Sequence, residues 1–263
     1  MKQILKCILC VLLNFALQFI VQLGMSISAV AQGMEDEAVL NAWLMDNILL
    51  TTLISNLIFI GIVCVVFAIK RSKLLPENDS IKALKSCALP CAAALMYSIG
   101  FSLLFSGNTP MIQNSVEHYS QTAPWLGIAM MVINLLILAP VAEELLCRRI
   151  MLDGLRQRFT AKTAVIVSAV IFGAMHLLAG GPALAVGAAF MGLLLGIVYV
   201  RTGSLVAATL VHLTANLPDF ILMALPPADG ALKTIIAVIC LAASVTFMLV
   251  WCRNEIKNRR SRT

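Results

Sequence analysis

Charge is what this sequence has least of. Only 12% of its 263 residues are Asp, Glu, Lys or Arg, and 60% are apolar, against the roughly 25% charged usual in a soluble domain. The shortfall is spread over several long apolar runs, so it excludes one large water-soluble core and reads as membrane spans. No stretch is long and polar enough for a separate soluble domain. A disulfide framework is also missing. Six of the eight cysteines (Cys7, Cys10, Cys64, Cys87, Cys91, Cys240) lie in apolar runs, where a thiol behaves as a small apolar group. The close pairs Cys7/Cys10 and Cys87/Cys91 have no second pair and no histidine beside them, which argues against a cysteine zinc site. There is no HExxH helix or inverted version of it, no pair of intramembrane aspartates, and no nucleophile motif around Ser204. No internal repeat of the transporter kind is visible.

What is present is a series of eight apolar stretches, at 4–30, 47–69, 82–105, 124–147, 163–180, 183–200, 204–225 and 232–252. Each holds about 18 to 27 residues, enough for a helix to cross a hydrocarbon core of roughly 30 Å. Lipid offers the backbone no hydrogen-bond partners, and the runs are too long and continuous for barrel strands. The expected fold is therefore an all-α, polytopic transmembrane helical bundle of about eight spans.

The net charge of +6 follows the spans and does not point to nucleic acid. Residues 31–46 hold Glu35, Asp36, Glu37 and Asp46 and no base; the next connection holds Lys70, Arg71 and Lys73, with Lys82 and Lys85 beyond; 106–123 again has none. Arg148, Arg149, Arg156, Arg158 and Lys162 come next, then Arg201, and finally Arg253, Lys257, Arg259, Arg260 and Arg262 in the tail. Counting Lys2 and Lys6, every basic residue but Lys233 falls on one side. The positive-inside rule makes that side, with both termini, cytoplasmic. The first run ends Ala29-Val30-Ala31, which resembles a signal-peptidase site, but it is longer than a signal core of about 7–15 residues; an uncleaved first span is expected. Residues 148–162 read as a short cationic amphipathic helix at the interface, with Ile150, Leu152, Leu155 and Phe159 on its apolar side. An ordinary charged loop is the other reading.

Ionisable groups inside spans are expensive and mark function by default. The candidates are Glu143, Glu144 and Arg148 on span four, His176 on span five, and His212 with Asn216 on span seven. Residues four apart share a helix face, so Glu144 can reach Arg148. Glu143 lies about 100° round and can face a polar cavity. Pro140 removes one helical hydrogen bond just before them, where a kink can open the helix. Phe172 stands one turn before His176 and can buttress its imidazole. His212 and Asn216, one turn apart, are suitable donors to a developing oxyanion. Each motif alone has a plain structural reading: a solvated carboxylate pair near the interface, or polar side chains bonding neighbouring helices.

Together they resemble a known family. Ala139-Pro140-Val141-Ala142-Glu143-Glu144-Leu145-Leu146-Cys147-Arg148 resembles the EExxxR signature of the CPBP family, the CAAX prenyl endopeptidases and bacteriocin-processing intramembrane proteases, which include Abi-like and lysostaphin-resistance-like proteins. Val170-Ile171-Phe172-Gly173-Ala174-Met175-His176 is similar to its FxxxH motif, and Gly203 to Asn216 to its HxxxN motif. Cys147 and Arg149 depart from the family's usual Phe and Gly. The resemblance covers about 124–220, leaving 1–123 as three spans without a motif, 124–225 as a catalytic core, and 226–263 as a last span with a basic tail.

The resemblance implies hydrolysis of a peptide bond in a membrane-associated or membrane-inserted substrate, lipidated or not. It implies that Glu143 with His176 activates a water, that His212 and Asn216 stabilise the oxyanion, and that Glu144 and Arg148 hold the site. Phe172 is the candidate substrate-binding residue. No cofactor is implied. Two histidines and two glutamates leave a zinc-dependent route as the nearest alternative, and a transporter, proton relay or immunity protein as a non-enzymatic one. The lipid bilayer is the expected partner besides the substrate, and the expected location is a bacterial plasma membrane.

Overall fold

A computed structural model of the protein describes residues 2–66, 78–105, 123–223 and 230–260. The expectations placed on Lys70, Arg71 and Lys73, on 106–122, and on Arg262 lie outside those residues. Among the described residues there is no strand. The chain is an all-α integral membrane protein, and among the described residues six helices are long and apolar enough to cross a bilayer, Leu5–Ala31, Ile48–Val65, Ala88–Phe105, Trp125–Arg156, Leu177–Thr202 and Ala231–Lys257. The stretches expected at 163–180 and 204–225 correspond to shorter apolar helices, Ala161–Met175 and Leu205–Pro218.

The described residues fall into two compact units. The first, Met1–Ile69 with Thr109–Gly154, begins with α1 (Lys2–Ala31), α2 (Glu37–Asp46) and α3 (Ile48–Val66). The acidic connection read at 31–46 therefore holds a short helix. Asp36 nucleates it, accepting bonds from Ala38 N and Val39 N at 2.9 and 3.0 Å, which satisfies two of the four orphan donors at a helix start. After the undescribed residues come α6 (Pro124–Met131), a first π-helical run (Val132–Leu138), α7 (Ala139–Glu144), a second π run (Leu145–Leu152) and α8 (Asp153–Arg156).

This series is one continuous helix, and it corrects two expectations. The helix of span four does not stop near residue 147 but runs on to Arg156, so 148–156 continues it and 148–162 is not a separate helix. Two i,i+4 ion pairs, Glu144–Arg148 and Arg149–Asp153, each 2.9 Å, carry the helix through the charged stretch. Leu152 and Leu155 are buried, where an interfacial helix would turn them to lipid. Thr160 then starts the next helix by accepting from Thr163 N.

The second unit, Lys70–Asn108 with Leu155–Thr263, holds α4 (Asn78–Lys85), α5 (Ala88–Phe105), α9 (Ala161–Met175), α10 (Leu177–Thr202), α11 (Leu205–Met223) and α12 (Ala231–Arg260). Lys82 and Lys85 lie on α4, a helix apart from span three, with a turn at Ser86-Cys87 between.

Helices α9 and α10 form an antiparallel pair. A Cβ on Gly173 would meet Ala189, one on Gly192 would meet Ala169, and one on Gly196 would meet Val165. These pairs are symmetric about Gly180-Gly181, where the backbone leaves helical geometry and Gly181 takes φ 72°. The chain therefore reverses at Gly180-Gly181-Pro182, between the apolar stretches read at 163–180 and 183–200. Small residues on the facing sides let the backbones approach closely, the usual way for helices to associate without a hydrophobic drive. Gly100 does the same for α5 against α12, and the Tyr97 hydroxyl donates to Gly187 O at 2.8 Å to tie α5 to α10.

Candidate active site

In the first unit, Pro140 explains how the helix bearing the carboxylates is built. A proline ring clashes with the carbonyl four residues back, and the proline has no N–H to donate. The turn before it widens: Ala139 N–H bonds Asn134 O, an i to i+5 bond of π type. The kink expected from Pro140 is met by this widening. Glu143 and Glu144 follow on α7. Glu144 is 0% exposed and its Oε2 lies 2.9 Å from Arg148 Nε, also 0% exposed. Glu143 keeps part of its surface. Two adjacent carboxylates on one helix thus have different environments, because one residue is about 100° of helix rotation.

In the second unit, three side chains come together. His176 is the residue at which α9 ends. Its Nδ1 lies 2.8 Å from Phe172 O. A carbonyl only accepts, so in this bond Nδ1 carries the proton, and in the neutral ring Nε2 holds the lone pair. The Phe172 ring is buried and packs on both imidazoles, with centroids 4.6 Å from His176 and 5.8 Å, edge-on, from His212. His212 is 4% exposed. Asn216 follows one turn later on the same face of α11 and is half-buried. Pro218 two residues on cannot donate to the carbonyl of Thr214, which loosens the turn around Asn216. Ser204 plays a structural part. Its Oγ accepts from Ala207 N at 3.1 Å and starts α11, after Gly203 at φ 68° has ended α10.

The sequence pattern alone does not reveal one polar cluster. Asn134 is 1% exposed in the first π run. Asn56 Nδ2 donates to its Oδ1 at 3.0 Å, and its Nδ2 donates to Thr52 Oγ1 at 2.6 Å. Thr52 and Asn56 are four apart on α3, a signal present in the sequence, but neither is ionisable. Among the described residues, no three His, Cys, Asp or Glu side chains are grouped so as to hold a metal ion.

The fold and these side chains define a polytopic helical membrane protein with carboxylates, histidines and a carboxamide on its apolar helices. Residues 124–218 match the model of a family described as Type II CAAX prenyl endopeptidase Rce1-like, in agreement with the CPBP resemblance of the three motifs. The match implies a protease of the membrane, and it contains Glu143, Glu144, Arg148, Phe172, His176, His212 and Asn216. No curated protein and no solved structure matches the chain.

Proposed function

We propose that the protein is an intramembrane endopeptidase that cleaves a peptide bond in a membrane-associated substrate with a water activated by Glu143 and His176. The observation that carries the proposal is the division of labour between neighbouring carboxylates. Glu144 is sealed against Arg148 with no exposure, and Glu143 beside it keeps part of its surface.

In the proposed step, Glu143 takes a proton as the water oxygen adds to the scissile carbonyl carbon. Such proton transfer typically contributes 10²–10⁴-fold. His176, with Nδ1–H committed to Phe172 O, offers Nε2 to the same water. The carbonyl oxygen becomes an oxyanion that accepts hydrogen bonds from His212 and Asn216, each worth a few kcal/mol in comparable sites. When the intermediate collapses the C–N bond breaks, and the departing amine takes the proton first removed from water. Glu144 and Arg148 hold the helix, and Phe172 orients both imidazoles. No metal takes part in this scheme.

The family's description makes a prenylated CAAX peptide the first substrate to try. In proteoliposomes the protein should cleave such a peptide, and Glu143→Gln should reduce the rate at least 10²-fold. A zinc chelator should leave the rate unchanged. Equal cleavage by Glu143→Gln, or a loss on chelation that added zinc restores, would remove the mechanism. On the charge pattern we place both termini in the cytoplasm; a reporter fused after Thr263 that is active only outside the cytoplasm should stay silent.

A further inference from the structure

The six-residue helix that carries Glu143 and Glu144 is bracketed by π runs, and each run is met by a polar side chain from the N-terminal helices. Ahead of it, Asn134 in the first run bonds Asn56 and Thr52 of α3. Behind it, the Cys7 thiol of α1 lies 3.5 Å from Ile150 O and 3.9 Å from Met151 O in the second run. Both α1 and α3 lie outside the segment 124–218 matched to the protease family. We propose that these N-terminal helices are a brace that sets the rotation of the carboxylate helix, with Asn134, clamped by Asn56 and Thr52, as its positioning residue. The inference rests on the reading of Glu143 as the base.

The physical argument starts from the π turn. It admits one more residue than an α-turn, so the helix beyond it is rotated by about 100°. That is the angle separating Glu143 from Glu144. If the first run relaxed to α geometry, Glu143 would turn to the bearing that Glu144 now holds, and Glu144 would turn about 100° beyond it. Pro140 widens the turn but fixes no particular register, since its missing N–H leaves a carbonyl to spare either way.

The clamp supplies the register. Its bonds run one way: Asn56 N–H to Asn134 Oδ1, Asn134 N–H to Thr52 Oγ1, and the Thr52 hydroxyl on to Ile48 O at 3.0 Å and Leu49 O at 3.1 Å. A carboxamide in this chain uses its donor and its acceptor on one neighbour helix, four residues apart. It therefore has one orientation. Asn134 and Asn56 are 1% and 8% exposed, and water to replace these bonds is scarce inside a bilayer. The Asn134 backbone carbonyl accepts the π bond from Ala139 N–H, so side-chain clamp and π register are held by the same residue.

The test compares Thr52→Val, which removes the acceptor at nearly constant shape, with Thr52→Ser, which restores it. The probe is the prenylated CAAX peptide in proteoliposomes, with Glu143→Gln measured beside them. The expected result is a kcat at least tenfold lower for Thr52→Val with KM within twofold, and recovery for Thr52→Ser. Asn56→Leu/Asn134→Leu, which removes both carboxamides together, should lower kcat at least as much while its thermal unfolding midpoint stays within a few degrees. If Glu143→Gln abolishes cleavage but Thr52→Val matches Thr52→Ser, the brace is wrong and the protease reading stands. A loss that merely follows the unfolding midpoint also overturns the brace. If the wild-type protein leaves the peptide intact, the reading and the brace fall together.

Discussion

Arg148 Nε lies 2.9 Å from Glu144 Oε2, and neither side chain has any exposed surface. A charge pair taken wholly out of water is no simple source of stability, because its desolvation offsets its attraction. Breaking it is another matter. Removing one partner leaves an uncompensated buried charge, at a typical cost of 3–5 kcal/mol. Arg148→Leu and Glu144→Leu should therefore each destabilise the protein by about that amount. The double substitution should recover most of the loss. Equilibrium unfolding in detergent measures this; single variants within about 1 kcal/mol of wild type would mean the pair is hydrated.

Phe172 touches both histidines. Truncating a buried phenylalanine to alanine usually costs about 3–5 kcal/mol, which would confuse a folding effect with a catalytic one. Phe172→Leu keeps most of the volume. It should cost about 1–2 kcal/mol but remove the ring that packs on both imidazoles. The expected consequence is a kcat at least tenfold lower with KM little changed. Equal loss in kcat and in thermal midpoint across both variants would reduce Phe172 to ordinary packing.

How much of this is legible in the sequence depends on the range of the forces involved. The pairing of Glu144 with Arg148, the reversal at Gly180-Gly181-Pro182 and the helical character of the spans come from local spacing and composition. The widened turn before Pro140 has a local cause, but the clamp on Asn134 comes from Thr52 and Asn56 some eighty positions earlier, and no local pattern reports such a meeting. The same holds for residues 148–156. Their alternation of basic and apolar side chains suits an interface, but they continue the helix of span four, with Leu152 and Leu155 buried. Hydropathy puts His176 within a span, yet α9 stops there, with the imidazole turned back onto Phe172 O.

Gly173 sits between Phe172 and His176 and against α10. A Cβ there would stand 2.5 Å from Ala185 O and 2.7 Å from the Ala189 methyl, contacts that neither backbone nor a methyl group can yield without a shift. Gly173→Ala should destabilise by about 1–3 kcal/mol, the usual cost of overpacking. Gly24→Ala is the control. No atom lies within 4 Å of a Cβ at that place on α1, and alanine favours a helix over glycine by about 1 kcal/mol. It should be neutral or stabilising. Opposite results at the two positions would contradict the packing of α9 on α10.

The two glycines of the α9–α10 turn separate steric crowding from backbone strain. Gly180 has φ −155° and ψ 21°, whereas Gly181 has φ 72° and ψ −169°. The first φ is open to any L-residue. The second combination belongs almost wholly to glycine, and holding another residue there costs of the order of 1–3 kcal/mol. No atom lies within 4 Å of a Cβ on Gly181, so any penalty at that position is conformational. Gly181→Ala should lower stability by about 1–3 kcal/mol and Gly180→Ala by clearly less. Because His176 is only five residues before Gly181, the strain should also reach the imidazole. Gly181→Ala should then slow cleavage more than Gly180→Ala does, and a D-alanine placed at 181 by semisynthesis, which accepts positive φ, should restore both stability and rate. Unchanged stability in Gly181→Ala would show that the reversal is made with another backbone geometry.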